Sequence, residues 1–458
     1  LLKPFVCAVM IAVPALAGTA RARAEPIDSV VRYALQNHPA ARAALAGAQA
    51  SGFLVAQARA ARAPQFGLIA DPGRAFTGSG GGAADIGDLG LQGSVLLYDG
   101  GRTREAIARE EGRQQAADAS LRLTGEDLAG RIADVYLEWF KQDRLAALAA
   151  DNLAAHEALH ERVREIASFD RGRASDLVQV GARLQQARVT LAARRGAANE
   201  ARAVLVDLVG RDVDAVEAPR EPAAALPGSL NDAIAALGSH PSAIGADAQA
   251  QAARHAWGSA SAWMQPRLDL RAGVDSPRDF TGERQYFDEY TVRLAVSWAP
   301  FDGGQGRAGA RAAEQQYLQA REGARAVRRE LSARLANLWT QVETRRERAG
   351  IYRDLLDQTS QVREAYWQQF TIGRRSIIDL LNAENEAFQA RQGAENERLE
   401  LLQAQYRLLA ASATLTPWLG IAATPGEGAA ASDPSARPTA APVETWPRAT
   451  PLQRADSP

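Results

Sequence analysis

His156-Glu157-Ala158-Leu159-His160 is a literal H-E-x-x-H. On a helix the two histidines share one face and could ligate zinc, with Glu157 as the base of a hydrolase. Such a site needs a third ligand. The metzincin extension would place glycine at 163 and histidine at 166, but the chain has Val163 and Ile166 there. Glu161 and Glu165 follow on the same uninterrupted stretch and cannot fold back onto the pair. Two solvated histidines on an Ala- and Glu-rich helix account for the pattern better, so no metal and no cofactor is expected. A second motif, Gly304-Gln305-Gly306-Arg307-Ala308-Gly309, matches G-x-G-x-x-G between a strand and a helix. Dinucleotide binding would require a buried parallel strand before it and another about thirty residues on. Here the preceding strand alternates, and the earlier counterpart, Gly101-Arg102-Thr103-Arg104, lacks the pattern. Glycines at a strand-to-helix bend explain it more simply. A third candidate is Arg375 with Asp379, spaced i,i+4. Read alone it is an ordinary exposed helix pair, worth a few tenths of a kcal/mol.

The elements that must position these residues occur twice. Tyr98-Asp99-Gly100-Gly101 returns as Phe301-Asp302-Gly303-Gly304, and Asn37-His38-Pro39 as Ser239-His240-Pro241. Ala63-Pro64-Gln65 resembles Gln265-Pro266-Arg267, and Phe169 to Ser175 resembles Phe370 to Ser376. All four landmarks keep one order at offsets of 201 to 203 residues, which defines a two-fold internal repeat. Each copy places two strands before its Asp-Gly-Gly. Leu89, Leu91, Val95 and Leu97 alternate with polar or small residues, as do Tyr290, Val292, Leu294, Val296 and Trp298. The partner strands carry Phe66, Leu68 and Ala70 in one copy and Leu268, Leu270, Ala272 and Val274 in the other. A period of two suits a half-buried soluble sheet, and equally a barrel with lipid outside and water inside. Gly78 to Gly82 and Ser276 to Gly282 are the expected hairpin loops.

In chain order, residues 1–24 read as a secretory signal peptide, with Lys3, an apolar run from Phe5 to Ala17 and Ala22-Arg23-Ala24 as cleavage site. The only cysteine, Cys7, lies within it, so a chain starting at Glu25 has no thiol for a disulfide or a Cys-based metal site. Thr19 stands where a lipoprotein would need its acylated cysteine, so an exported chain without a lipid anchor is expected. Net charge is −1, which offers no electrostatic case for nucleic acid. No stretch after Glu25 has the eighteen charge-free apolar residues of a membrane-spanning helix. The first repeat covers 25–210: a short helix, a second helix to about Arg62, strands at about 64–72 and 88–98, then a long helix pair. Proline-free helical sequence runs from about Gly101 to Phe169, roughly 100 Å at 1.5 Å per residue, with Leu128, Ile132, Val135 and Trp139 as a coiled-coil-like seam. Arg171-Gly172-Arg173 turns it back. A linker over 211–228 leads to the second repeat, 229–420, with helices over 229–238 and 241–263, strands at about 266–275 and 289–299, and another long pair turning at Gly373. Residues 421–458, rich in Pro, Ala and Ser, are expected to be a disordered tail.

Strand number decides the architecture. Four strands cannot close a membrane barrel, for which eight is the smallest bacterial case, because an open edge in lipid leaves backbone groups unsatisfied. If the strands meet lipid, copies of the chain must share one barrel. At this point the chain resembles the outer membrane efflux proteins, the TolC-like channel tunnels. The resemblance covers about 27–420 and rests on Asn37-His38-Pro39, the proline opening each half's first strand, the duplicated aromatic-Asp-Gly-Gly and Gly-x-x-Ser before each returning helix. It implies an α+β membrane protein in which four strands per protomer build a shared twelve-stranded barrel in a homotrimer. Long helices would form a periplasmic tunnel. It also implies a periplasmic adaptor (membrane fusion protein), an inner-membrane ABC transporter or other pump, and outer-membrane lipid as partners. No enzymatic activity is implied. The missing lipidation cysteine points toward type I protein secretion, with the channels of adenylate cyclase toxin secretion as the narrower expectation. Multidrug efflux is the alternative. A periplasmic coiled-coil scaffold or adhesin would also use a signal peptide and long helices, but has no need of an apolar strand face.

The same resemblance makes the second turn a pore entrance. Carried over position by position, Phe370 and Arg375 resemble the residues that tie neighbouring helices, and Asp379 the first of two acids ringing the pore. Asn382 replaces the second acid, and Phe370 lacks the hydroxyl of the family tyrosine. Val178 is the first-half counterpart of Asp379. Asp99, Gly100, Gly101, Asp302, Gly303 and Gly304 are expected to shape the two strand-to-helix bends.

Overall fold

The structure is a computed structural model that describes residues 24–76, 83–169, 174–279 and 289–422, with side chains of 74–76, 83–89 and 275–279 left aside. Of the expected signal peptide only residue 24 is described; the expected Arg171-Gly172-Arg173 turn, the expected loop Gly78 to Gly82 and the expected tail from 423 lie outside the described residues. Of the second expected loop, Ser276 to Gly282, only 280–282 lie outside, because backbone pairing carries the strand on through Asp279. Helices α1 (Ile27–Asn37) and α2 (Pro39–Ala60) lead to strands β1 (Gln65–Phe76) and β2 (Ala83–Tyr98). Helix α3 (Arg102–Phe169) runs for 68 residues and α4 (Ala174–Val209) returns beside it. The second half repeats this with α5 (Leu230–Ala235), α6 (Pro241–Ser261), β3 (Arg267–Asp279), β4 (Glu289–Ser297), α7 (Gln305–Thr371) and α8 (Ile377–Ala411), closed by α9 (Leu415–Trp418).

His38 and His240 open α2 and α6 identically. Each ring Nδ1 accepts an amide two residues on, and proline fills the first helical position, where a missing N–H costs nothing. The repeated His-Pro is therefore a capping device. No described helix is long and apolar enough to cross a membrane.

The four strands form one antiparallel sheet in the order β1-β2-β3-β4, so the hairpins of the two repeats lie side by side and both outer edges are open. Register brings the alternating residues onto one face. Leu68, Leu91, Val274 and Tyr290 align across the sheet, as do Val95, Leu270 and Leu294. This face is bare: Phe66 is 78 % exposed, Val292 76 % and Tyr290 75 %. The reverse face presents Gln65, Gln92, Ser94, Arg271, Thr291 and Arg293. A soluble sheet would cover such a stripe, because apolar area left in water forfeits about 25 cal/mol per Å². β1 and β2 run on beyond the alternating stretch, through Pro72-Gly73 and Asp85-Ile86-Gly87. Periodicity is lost there while pairing continues.

The largest core cluster lies where the middle of α3 meets α1, the linker and the last turns of α4 and α8. Leu128, Ala129, Ile132, Tyr136 and Leu137 of α3 pack with Val30 and Val31 of α1, Leu205 of α4, and Leu402, Tyr406 and Leu409 of α8. Of the expected seam on α3, Leu128, Ile132 and Trp139 are buried; Val135 is only partly so, and its neighbour Tyr136 is fully buried instead. The linker is strapped down rather than loose. Glu25 N–H donates to Ala215 O (2.9 Å), Glu217 N–H donates to Glu25 O (3.1 Å), and Tyr136 Oη lies 2.7 Å from Glu25 O. Arg211 grips the Glu25 carboxylate and holds its pKa below the usual range. Farther on, Tyr406 Oη donates to Arg220 O at 2.9 Å. Stretch 229–238 holds only the short α5 and then a tight 3₁₀ turn, Ala236–Ser239, before the His240 cap.

Glu126, 2 % exposed, accepts the Thr416 amide of α9 at 3.3 Å and its hydroxyl. Burial outweighs these bonds and raises its pKa. A raised folded-state pKa means the folded protein holds this proton more tightly than the unfolded chain. The stabilisation is complete below the ordinary carboxylate range and is lost as pH climbs through the raised value. Glu126→Gln, which mimics the protonated acid, should therefore unfold at higher temperature than the native protein at pH 7. The gap should close as pH falls below about 4.5; thermal unfolding followed by circular dichroism across that range checks both signs.

Candidate functional site

Both strand-to-helix bends are built alike. Asp99 accepts the amides of Gly101 (3.1 Å) and Thr103 (2.7 Å) and the Thr103 hydroxyl, and these bonds pull its pKa down despite partial burial. Asp302 accepts the amides of Gly304 (3.0 Å) and Gly306 (2.7 Å). Each aspartate thus satisfies free N–H groups at the start of a helix of more than 65 residues. Gly100 and Gly101 have φ of 69° and 87°, and Gly303 and Gly304 70° and 92°, left-handed values that disfavour any residue with a Cβ. Gly306 is needed for space, since a Cβ there would lie 2.3 Å from the Trp263 ring, whereas one at Gly309 would meet nothing. The G-x-G-x-x-G is accounted for by a cap and a close approach, at the end of an antiparallel strand.

The H-E-x-x-H does not assemble a metal site. Among the described residues no three His, Cys, Asp or Glu side chains are grouped to hold an ion. Glu157 turns outward, 3.6 Å from Arg188 of α4. His156 is not the solvated residue expected: it is 7 % exposed, and burial with nearby Arg183 lowers its pKa. Steps of three and four to Leu159 and Val163 set it on the buried seam facing α4, a position that composition alone does not reveal.

At the far end from the sheet, α7 closes with Gly373 (φ 75°) and two carbonyl bonds, Gly373 N–H to Phe370 O and Arg374 N–H to Gln369 O, both 2.9 Å. Ser376 then caps α8 by accepting the Asp379 amide at 3.2 Å. Phe370 is buried with Ile377, Leu380 and Leu381 of α8, Leu159 and Val163 of α3 and Val180 of α4. Both helical hairpins are therefore joined at their tips. Arg375 lies over the Tyr366 ring at 4.2 Å, donates from Nε to Gln369 Oε1 at 3.0 Å, and reaches Asp379 Oδ2 at 3.6 Å. Tyr366 and Gln369 escaped the sequence reading, although each lies within one or two turns of Phe370 on the same helix. Asp379 keeps 42 % of its side chain exposed beside this anchor, and Asn382 is exposed one turn on. The arrangement is a tied turn whose half-exposed carboxylate is paired with Arg375.

An open sheet with a bare apolar face, set on paired helices of this length, is the TolC-like channel fold. The chain belongs to the outer membrane efflux protein family, whose sequence model matches residues 30–211 and 235–416. It is thus an outer-membrane transport protein whose helices extend into the periplasm. The chain is 25 % identical over 414 residues to outer membrane efflux protein BepC of Brucella suis biovar 1 (strain 1330), spanning 89 % of this chain and 90 % of that one. In fold it is similar to the outer membrane protein VceC of Vibrio cholerae, with a TM-score of 0.73 at 19 % identity over 84 % of this chain and 96 % of that one. It is also similar to the open state of the Neisseria gonorrhoeae MtrE outer membrane channel, with a TM-score of 0.72 at 18 % identity over 85 % and 89 %.

Proposed function

We propose that three copies of this chain close one twelve-stranded barrel and a helical tunnel, forming a passive duct from the periplasm to the outside. The observation that carries the reading is the open four-stranded sheet with one apolar and one polar face. Lipid satisfies the first face and water the second, and only neighbouring strands can satisfy the β1 and β4 edges. The helices support the same arrangement. Val178, Val189 and Val204 leave an apolar stripe exposed on α4, and Ile351, Leu355 and Val362 leave another on α7. In a ring of protomers the two stripes would meet. At 1.5 Å per residue the longest helices reach about 100 Å, far enough to meet an adaptor well below the membrane.

The duct carries no catalytic group and takes its energy from an inner-membrane pump through an adaptor. Our finer reading is type I protein secretion with an ABC transporter; expulsion of small toxic compounds is the second, favoured by the name of the BepC relative. Deleting the gene in its host separates them. Loss of one large protein from the medium, with unchanged sensitivity to dyes and detergents, is expected for secretion. Raised sensitivity with an unchanged secretome identifies efflux. A deletion that alters neither would count against an export role.

A further inference from the structure

The polar face of the sheet holds an unbalanced charge. Arg271 and Arg293 are direct cross-strand partners, and the same level continues through Ser94 to Gln65. Like charges directly opposite each other destabilise a sheet. Neither guanidinium has an ion pair or hydrogen bond among the described residues. Asp269, one level below on the same face, is held by Arg267 at 2.9 Å, so Arg267, Asp269, Arg271 and Arg293 together keep two positive charges. The level above is neutral, formed by Gly67, Gln92, Gly273 and Thr291. Acids come one level farther, where Asp275 faces Glu289, and beyond that Asp71 faces Asp88. At about 3.3 Å per residue Asp275 lies roughly 13 Å along the strand from Arg271, beyond the screening length of physiological salt. The two arginines instead border a concavity of about 730 Å³ that Gln65, Gln92, Ser94 and Thr291 also line.

We propose that this level is an anion-binding belt on the inner wall of the barrel, taking solutes that bear carboxylate or phosphate groups. The inference rests on the shared-barrel reading: three copies turn the pair into a ring of six guanidiniums near the junction with the helices. Their planar donor forks match oxyanions, and the neighbouring amides and hydroxyls add neutral donors. Glu289 and Asp71 stand at levels nearer the hairpin tips, so an anion that passes them is retained at the arginines.

Tripolyphosphate, added to either chamber during single-channel recording in planar bilayers, tests the belt. It should reduce the current saturably. Arg271→Gln with Arg293→Gln should raise the half-blocking concentration about tenfold or more, the scale of a lost charge-assisted contact. Lysine at both positions should keep most of the block, and Glu289→Gln should leave it intact or strengthen it. Mass photometry establishes that each variant remains assembled, and Arg293→Gln alone serves if the double variant does not. Absence of block from both sides, or block undiminished in every glutamine variant, overturns the belt. Absence of any unitary channel in the native protein overturns the duct itself, and the belt with it.

Discussion

Arg375→Ser should raise single-channel conductance severalfold, because Arg375 is the only side chain that ties α7, the turn and α8 together by polar contacts among the described residues. It stacks on Tyr366, bonds to Gln369 and reaches Asp379 at the start of α8. Stacking of a guanidinium on an aromatic ring stabilises by about 0.5–1 kcal/mol at an exposed site, and the charge-assisted bond from the guanidinium to Gln369 by about 1.5–3 kcal/mol. Serine loses both. What remains is the apolar contact of Phe370 and Leu380 with α3 and α4, which holds the tips together but does not fix the angle of the turn. In the proposed trimer three such turns surround the tunnel axis, with Asp379 at the narrowest level. Asp379→Ala should therefore weaken cation preference in the closed channel, since close carboxylates repel one another and attract counter-ions. With Asn382 in place of a second acid, block by multivalent cations should be weaker than a double ring would give. Planar-bilayer recordings read all three effects. If conductance and selectivity stay at native values in both variants, the segment is only a helix turn.

The second large effect is expected at the first strand-to-helix bend. Gly100→Ala should abolish most of the assembled protein, while Gly303→Ala, its repeat counterpart, should cost far less. Both glycines have left-handed φ near 70°, so both substitutions carry a strain of roughly 1–2 kcal/mol. Surroundings separate them. A Cβ at Gly100 would lie 2.2 Å from Gln265 Cβ, too close to a backbone-anchored atom for a rotamer change to relieve, whereas a Cβ at Gly303 meets nothing within 4 Å. Quantifying folded protein in outer-membrane fractions, with thermal unfolding of what is recovered, gives the ranking. Equal losses at the two positions would show that the bends are not packed as described.

Much of this architecture can be read in the chain because its rules are local. Alternation of Tyr290, Val292, Leu294 and Val296 sets the sheet faces, and the duplicated Asp-Gly-Gly marks the bends because few residues other than glycine tolerate such φ values. What escaped depends on distant partners. Strands β1 and β2 continue where alternation stops, since pairing needs only backbone. Whether His156 is buried is decided by which way α3 rotates onto α4, and composition does not record that rotation. The strap from Glu25 to Val216 joins residues 191 positions apart by backbone bonds, which leave no side-chain signature. At the tip, Arg375 and Asp379 were visible as a spacing of four. The ring of Tyr366 and the amide of Gln369 acquire meaning only once the turn folds back on α7.

In the proposed trimer one chain supplies only a third of the barrel. Native mass spectrometry of the protein extracted in mild detergent should show a single species at three times the chain mass that retains its β-sheet signal in circular dichroism. A stable, well-dispersed monomer with the same β content would mean that the β1 and β4 edges are satisfied without neighbouring copies, and would contradict the trimer.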